Sequence, residues 1–154
     1  MKVLMVCLGN ICRSPMADGI FSHKVSERNL SSKIQVDSAG MISMHQGENP
    51  DFRAVSTCRK HGVDISKLIA RPFTTNDFDD FDFIFVMDKS NYRDVIAMAR
   101  NEDDKQKVHL LLNYSNPGSN AVVPDPYYGG MEDFEAVYKL LNDACETVLE
   151  KLIK

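Results

Sequence analysis

The chain has 154 residues, 44% of them hydrophobic and 26% charged, which suits one domain with a sizeable core, and we predict a single domain over residues 1–154. Its formal charge of −4 and pI of about 5.5 argue against a nucleic-acid-binding surface. No apolar run approaches membrane-spanning length, and no signal-peptide core opens the chain. We therefore expect a cytoplasmic protein without a membrane partner, whose four cysteines are free thiols.

Strand and helix patterns alternate along the chain. Short apolar runs bounded by turn residues predict four strands, over 2–6, 34–37, 82–87 and 108–112. Segments with one apolar face predict four helices, from Ser14-Pro15 to Asn29, from Asp51 to about Lys60, from about Ser90 to Arg100, and one carrying Phe134 to Leu152. This order is typical of βαβ units. It predicts an α/β fold, an open four-stranded parallel sheet with helices on both faces.

Local signals add detail to these boundaries. Ser14 is expected to cap the first helix, because serine is a good N-cap and Pro15 suits the first helical position. Turn-forming residues predict two long loops, over 38–50 and 113–130. Two acidic runs are interpreted as solvated edges, at 77–82 and 102–104.

The loop that begins at Cys7 lies between the first strand and the first helix, where an open α/β sheet places ligands. Its backbone N–H groups can converge on an anion, helped by the positive end of the helix dipole, and the same field favours a Cys7 thiolate. Arg13 can offer two parallel donors to phosphate oxygens, and Ser14 can hydrogen bond to the sulfur when it leaves. Gly9 and Asn10 tolerate the left-handed dihedrals of a tight cradle. We interpret the segment as a phosphate loop with a nucleophilic cysteine; the alternative is that Cys7 only ends a core strand.

A candidate general acid lies in a second segment. Asp125 stands between Pro124 and Pro126, which fix the backbone on both sides of it. Tyr127 and Tyr128 follow, and two aromatic rings can form the walls of a ring-sized slot. A phosphoryl group leaving a phenol benefits from a proton donor such as this carboxyl. An ordinary turn with surface tyrosines is the alternative, and the sequence alone does not place the segment beside Cys7.

Together these segments resemble a known family. Val6 to Ala17, Val-Cys-Leu-Gly-Asn-Ile-Cys-Arg-Ser-Pro-Met-Ala, is similar to the signature of low-molecular-weight protein tyrosine phosphatases. The resemblance spans almost the whole chain, with landmarks in order at 37–40, 49–53, 61–62, 77–78, 81–82, 87–91 and 125–129. It implies a phosphate loop after the first strand of a four-stranded parallel sheet, a phosphotyrosine-bearing protein as substrate, no metal and no other cofactor. We expect a monomer.

The resemblance also implies residue roles. Cys7 attacks phosphorus to give a phosphocysteine intermediate, and Asp125 protonates the phenol and then activates water. Arg13 and the backbone amides of the loop hold the phosphate oxygens, and Asn10 and Ser14 order the loop with support from Ser38. The residues assigned to phosphate binding and loop support are Leu8, Gly9, Asn10, Ile11, Cys12, Ser14 and Ser38.

Three departures from the family pattern affect these expectations. Met44 stands where relatives usually carry Trp or Tyr as one wall of the substrate entrance, which we assign to Met44, Tyr127 and Tyr128. Lys67 follows Ser66 where relatives often have a histidine that supports the loop. Cys12 is a second cysteine in the loop; it either packs or forms a reversible disulfide with Cys7 that shelters the nucleophile from over-oxidation.

Other readings remain open. Protein arginine phosphatases share the scaffold, but usually have Thr at the position of Ile11, so the apolar Ile11 favours phosphotyrosine. Arsenate reduction requires further redox cysteines, and none lies between Arg59 and Ala144. A non-catalytic phosphopeptide-binding module requires a disabled nucleophile or acid, whereas Cys7 and Asp125 are both present. Cys58 and Cys145 are expected to be inert core thiols, and all four histidines are taken as structural or surface residues.

Overall fold

The computed structural model describes all 154 residues and contains one sheet of four parallel strands. The strands stand in the order β2-β1-β3-β4, with bounds Lys2–Cys7 for β1, Gln35–Gly40 for β2, Phe83–Val86 for β3 and Val108–Leu110 for β4. Because β1 lies between β2 and β3, the connection from β1 to β2 runs to one side of the sheet, and the connection from β2 to β3 crosses β1 to the other side. The carboxyl end of β1 is therefore the topological switch point where such sheets bind ligands. The predicted α/β class and parallel sheet are confirmed.

Seven helices cover the sheet, with bounds Arg13–Glu27 for α1, Phe52–Lys60 for α2, Asn76–Asp80 for α3, Lys89–Met98 for α4, Glu102–Gln106 for α5, Leu111–Ser115 for α6 and Met131–Leu152 for α7. No helix of the fold combines the length and apolar character that a membrane crossing requires.

The sheet separates two apolar cores, and β1 contributes to both because its side chains alternate between the faces. Val3 and Met5 point into the larger core, which includes the apolar faces of α1, α2 and α7. Leu4 and Val6 point into the smaller core, which includes Phe78 of α3. The four β1 side chains are fully buried, as expected of a central parallel strand. This burial fixes the position of the strand end that carries Cys7.

Two sequence-based boundaries next to the site were wrong. Ser14 does not cap α1: the helix begins at Arg13, Cys12 is the N-cap residue, and the Ser14 hydroxyl bonds to side chains of the loop instead. Ser38 does not begin a loop, because β2 continues to Gly40 and pairs there with Cys7. In both places polar or small residues resembled those that begin or end a helix or strand, but they make contacts at the carboxyl end of the central strand.

The acidic runs are also not simply solvated edges. Each forms a short helix, and one carboxylate of each run is buried, Asp77 in α3 and Asp104 in α5. Arginines from outside the runs neutralise them: Arg71 donates to Asp77 at 3.0 Å, and Arg100 to Asp104 at 2.9 Å. Two further boundaries differ slightly from their predicted positions. Helix α1 ends at Glu27 rather than Asn29, and Leu111, predicted to lie in the fourth strand, begins α6.

Candidate active site

The loop from Cys7 to Arg13 joins the carboxyl end of β1 to the start of α1. Cys7 is 3% exposed and Arg13 is 3% exposed, so both ends of the loop are buried, while Leu8 lies exposed at its rim. The loop stands at the N-terminus of a 15-residue helix whose dipole favours negative charge there. This position suits the binding of an anion, as predicted from the sequence.

Three side chains behind the loop are joined to the Cys7 sulfur by hydrogen bonds. The Ser14 Oγ lies 3.0 Å from Cys7 Sγ. The Asn10 Nδ2 donates to Ser14 Oγ at 2.7 Å and to Ser38 Oγ at 2.9 Å. Asn10, Ser14 and Ser38 are all buried. The structure therefore brings together the residues expected to order the loop, but places them behind it rather than on the cavity that Cys7 faces.

Asn10 has a left-handed backbone, with φ of 57°, which places its amide side chain under the loop. The Arg71 backbone N–H donates to Asn10 Oδ1 at 3.0 Å, so the amide oxygen is fixed on that side and both amide hydrogens are left for the serines. Gly40 is needed beside it, because a Cβ there would lie 2.9 Å from the Leu8 carbonyl oxygen. The backbone N–H of Arg71 thus supports the loop from a distant part of the chain.

Arg13 is held in place by two acceptors that approach from distant parts of the chain. Its Nη1 donates to Asp88 Oδ2 at 2.7 Å and to the Val123 carbonyl at 3.0 Å. Its Nη2 lies 3.7 Å from Asp125 Oδ2. Because Asp88 also caps α4 through the Asn91 N–H, it links the guanidinium to the sheet. Asp88 was not predicted as a site residue, although an aspartate directly after a buried strand is a recognisable helix N-cap signal.

Asp125 reaches the site because its segment is tied to β3 and to α2. The Val123 N–H donates to the Met87 carbonyl at 2.8 Å. Arg53 of α2 donates to the Tyr127 carbonyl at 2.9 Å and to the Gly129 carbonyl at 2.9 Å. These contacts place a carboxyl from the C-terminal third of the chain beside the loop at its N-terminus. The structure therefore places Asp125 beside the loop that begins at Cys7, a proximity that the sequence alone could not show.

A cavity of about 280 Å³ opens between the loop and the Asp125 segment. Cys7, Arg13 and Asp125 supply its reactive groups. Its other lining residues form apolar and aromatic walls: Leu8, Gly9, Ile11, Cys12, Ile42, Met44, His45, Tyr127 and Tyr128. Met44 is 76% exposed and Tyr128 is 95% exposed, so both stand at the mouth, where the sequence analysis expected them. A narrow apolar channel with an anion site at its base suits a phosphorylated aromatic ring.

His45 lines this cavity and was missed by the sequence analysis, which treated it as structural or surface. Its ring packs over Gly9, where an added Cβ would come within 3.2 Å of His45 Cδ2. Its Nδ1 lies 3.2 Å from Glu48 Oε2, which fixes the ring orientation. His45 therefore provides an aromatic ring beside the position where Met44 replaces one. Nothing in the sequence except adjacency to Met44 indicated this.

The four cysteines are all buried free thiols, but only Cys7 and Cys12 line the cavity. Burial, and after it the negative charge of Asp51, raises the pKa of Cys12 well above its ordinary value. Burial raises the pKa of Cys58 and of Cys145 to about 12, in agreement with their prediction as inert core thiols. No cluster of three or more His, Cys, Asp or Glu side chains is arranged to hold a metal ion.

Asp18 is a buried carboxyl on α1, one turn beyond Ser14, and is 4% exposed. Burial, and after it the nearby charge of Asp37, raises its pKa from 3.8 to about 6. The Ser22 hydroxyl, which donates to Asp18 Oδ1 at 3.2 Å, opposes part of that rise. The burial of this residue was not predictable from the sequence, because an aspartate within a helix carries no local signal of burial.

Comparison with known proteins identifies the chain's relatives. A protein-family model described as "Low molecular weight phosphotyrosine protein phosphatase" matches residues 2–154. The Homo sapiens protein of the same name is 42% identical over 151 residues, 97% of this chain and 94% of that protein. A protein tyrosine phosphatase of Entamoeba histolytica, solved with Hepes in its active site, is similar at 39% identity and a TM-score of 0.93, over 99% of this chain and 97% of that one. A Drosophila arginine phosphatase is similar at 38% identity and a TM-score of 0.92, over 100% and 99% of the two chains.

The raised pKa of Asp18 predicts how the stability of the protein depends on pH. Its proton is bound more tightly in the folded state than in the unfolded chain, so the associated stability is present below about pH 4 and is lost as pH rises through about 6. Asp18→Asn removes this loss of stability at high pH, because asparagine does not ionise. It should raise the free energy of unfolding at pH 7.5 by up to about 3 kcal/mol, and by clearly less at pH 4.5. Urea unfolding at the two pH values measures the difference, and a destabilised variant at pH 7.5 would contradict the assignment.

Proposed function

The chain belongs to the low-molecular-weight phosphotyrosine protein phosphatase family and is a phosphotyrosine-hydrolysing enzyme, and we propose that Cys7, Arg13 and Asp125 carry out the hydrolysis through a phosphocysteine intermediate. The observation that carries this proposal is the meeting of the three side chains in one cavity, although Cys7 and Asp125 lie at opposite ends of the chain. The proposed substrate is a phosphotyrosine-bearing protein. The four unpaired thiols support a reducing, cytoplasmic location.

In the first step the Cys7 thiolate attacks phosphorus and the bond from phosphorus to the phenolic oxygen breaks. Asp125 donates its proton to that oxygen, so tyrosine leaves as a neutral phenol. The N–H groups of the loop and the Arg13 guanidinium face the equatorial oxygens, where charge has to be stabilised in the transition state.

In the second step a water molecule attacks the phosphocysteine. Asp125, now a carboxylate, takes a proton from the water, and the bond from sulfur to phosphorus breaks. Inorganic phosphate is released and Cys7 returns as a thiolate. The Ser14 hydroxyl, 3.0 Å from the sulfur, supports the proposal because it can donate a hydrogen bond to the departing thiolate.

The walls of the cavity support an aromatic substrate. Cys7 is 3% exposed at the base, and eight of the twelve lining residues are hydrophobic. A phenyl ring is apolar and can pack against Ile11 and Tyr127, which line the cavity, whereas the side chain of phosphoserine offers these walls almost no apolar surface. The His45 ring takes the place of the aromatic wall that Met44 lacks.

Cys12 remains our proposed redox partner for Cys7. It lies in the same loop, five residues beyond the nucleophile, and both thiols are free and line one cavity. A reversible disulfide between them under oxidising conditions would shelter Cys7 from irreversible oxidation.

The nucleophile is tested by Cys7→Ser. Because a serine hydroxyl is not ionised at neutral pH, we expect kcat for para-nitrophenyl phosphate to fall by at least about 10³-fold. Cys58→Ser, which replaces a buried thiol far from the cavity, is the matched control and should retain turnover. Substantial activity in Cys7→Ser would refute the mechanism.

The general acid is tested by Asp125→Asn on two aryl phosphates. A poor leaving group such as the phenol of phosphotyrosine depends on the proton, so its kcat should fall by about 10²–10⁴-fold. An activated phenol that leaves as an anion should lose much less. Equal losses on both substrates would mean that Asp125 only positions the substrate or Arg13.

The variant Ile11→Thr tests whether the enzyme prefers a phosphotyrosine or a phosphoarginine substrate. This side chain is 8% exposed and lines the cavity, and the similar Drosophila protein is an arginine phosphatase. We expect the wild type to favour a phosphotyrosine peptide, and Ile11→Thr to shift the ratio of kcat/KM values toward a phosphoarginine peptide by about tenfold. A wild type that prefers phosphoarginine would make the alternative function correct.

A further inference from the structure

The start of α2 contacts both halves of the active site. The Asp51 N–H donates to the Ile11 carbonyl of the phosphate loop at 2.8 Å. Two residues later, the Arg53 guanidinium donates to the carbonyls of Tyr127 and Gly129, at 2.9 Å in each case. The same turn of helix therefore contacts the loop that carries the nucleophile and the segment that carries the general acid.

The Arg53 guanidinium is itself held in a defined position. Its Nε donates to Asp51 Oδ1 at 3.0 Å and its Nη2 to Asp51 Oδ2 at 3.0 Å, a paired geometry that the planar guanidinium provides and an ammonium does not. Its central carbon lies 4.6 Å from the centre of the buried Phe134 ring and 5.7 Å from the centre of the Tyr127 ring. A carboxylate and two aromatic rings thus determine where Arg53 presents its remaining donors.

Tyr127 connects this guanidinium to the catalytic carboxyl. Its carbonyl accepts from Arg53, and its own N–H donates to Asp125 Oδ1 at 3.1 Å. The other carboxyl oxygen, Oδ2, lies 3.7 Å from Nη2 of Arg13, the guanidinium assigned to phosphate binding. Because a backbone N–H can only donate, it binds the unprotonated oxygen of a carboxylic acid. The transferable proton of Asp125 is therefore carried by Oδ2, the oxygen that lies beside Arg13.

We propose that Arg53 is a positioning residue that acts through the Tyr127 backbone and holds Asp125 with its proton-bearing Oδ2 directed at the phenolic oxygen of the substrate. The proposal rests on the proposed function, in which Asp125 donates that proton. Without Arg53 the acid segment loses its hydrogen bonds to α2, whereas the Val123 contacts that bring Asp125 to the cavity remain. Proton transfer requires a short and aligned approach, so a turned carboxyl lowers the rate of transfer without weakening the binding of phosphate.

The test measures kcat/KM for aryl phosphates whose phenols differ in acidity, because kcat/KM includes the step in which the bond to the phenolic oxygen breaks. Arg53→Met keeps a long side chain but removes its donors. Its kcat/KM should fall about tenfold for phosphotyrosine and by less than about twofold for an activated nitrophenyl phosphate, which leaves without a proton. The inhibition constant of inorganic phosphate should not change, since the loop and Arg13 remain in place. Arg53→Lys keeps the charge without the planar fork and should lose about threefold for phosphotyrosine.

A double variant separates positioning from a purely structural role. In Asp125→Asn there is no proton to direct, so the addition of Arg53→Met should lower kcat/KM for phosphotyrosine by less than a further twofold or so. A substitution that only loosened the fold would cause the same loss in both backgrounds. Arg59→Met is the matched control, because Arg59 lies in the last turn of the same helix and its exposed side chain donates no hydrogen bond. It should keep the wild-type kcat/KM on every substrate.

Three results would overturn the proposal: equal losses on phosphotyrosine and on the activated substrate, a full further loss in the double variant, or wild-type values in both Arg53 variants. If instead Asp125→Asn shows no dependence on the leaving group, or if Cys7→Ser remains active, the proposed function fails.

Discussion

The amide side chain of Asn10 is the contact on which the geometry of this active site depends. It occupies a left-handed backbone position directly after Gly9, accepts from the Arg71 N–H and donates to two buried hydroxyls. These bonds join the loop to β2 and to the segment before α3, so the loop backbone is supported from behind before any anion arrives. Preorganisation of this kind stabilises transition-state charge without reorganising the protein during the reaction.

The second requirement is that a distant carboxyl reaches the nucleophile. Asp125 lies 118 residues beyond Cys7, and three sets of contacts bring it there: Arg13 binds the Val123 carbonyl, Val123 binds the Met87 carbonyl, and Arg53 binds the backbone at Tyr127. Arg13 and Val123 are both buried, so the first two of these contacts are made by polar groups in the interior. Because unpaired buried polar groups are costly, the acid segment has few alternative positions.

Stability and chemistry oppose each other at the N-terminal half of α1. Apolar residues such as Met16 and Phe21 bury one face of this helix in the larger core. Ser14 and Asp18, on its polar face, are buried as well, and Asp18 lies there without a cation. A helix designed for stability alone would carry apolar side chains at both positions. Ser14 bonds to Cys7 and Asn10 of the loop, which agrees with the general observation that local rules of stability are broken at functional sites.

Short-range patterns were sufficient to predict much of the protein. The apolar runs and the Gly-Asn turn placed β1, the loop and α1 correctly, because burial of both strand faces and turn chemistry are read within a few residues. Cys7, Arg13 and Asp125 were recognisable by their chemistry and by their resemblance to a family. Ser14 and Ser38 were correctly chosen as site residues but misread as a helix cap and a loop start, since a serine that serves a buried network looks the same locally as one that ends an element.

What the sequence by itself determined was the class of fold, the nucleophilic loop and the family, because these depend on residue order over a few turns or strands. Only the tertiary structure decided which side chains meet. Burial and long-range pairing placed Asp88 and the Val123 carbonyl on Arg13, and His45 in the cavity wall. Those contacts join segments separated by tens of residues, and their energies come from desolvation and pairing in the folded interior, which no local pattern contains.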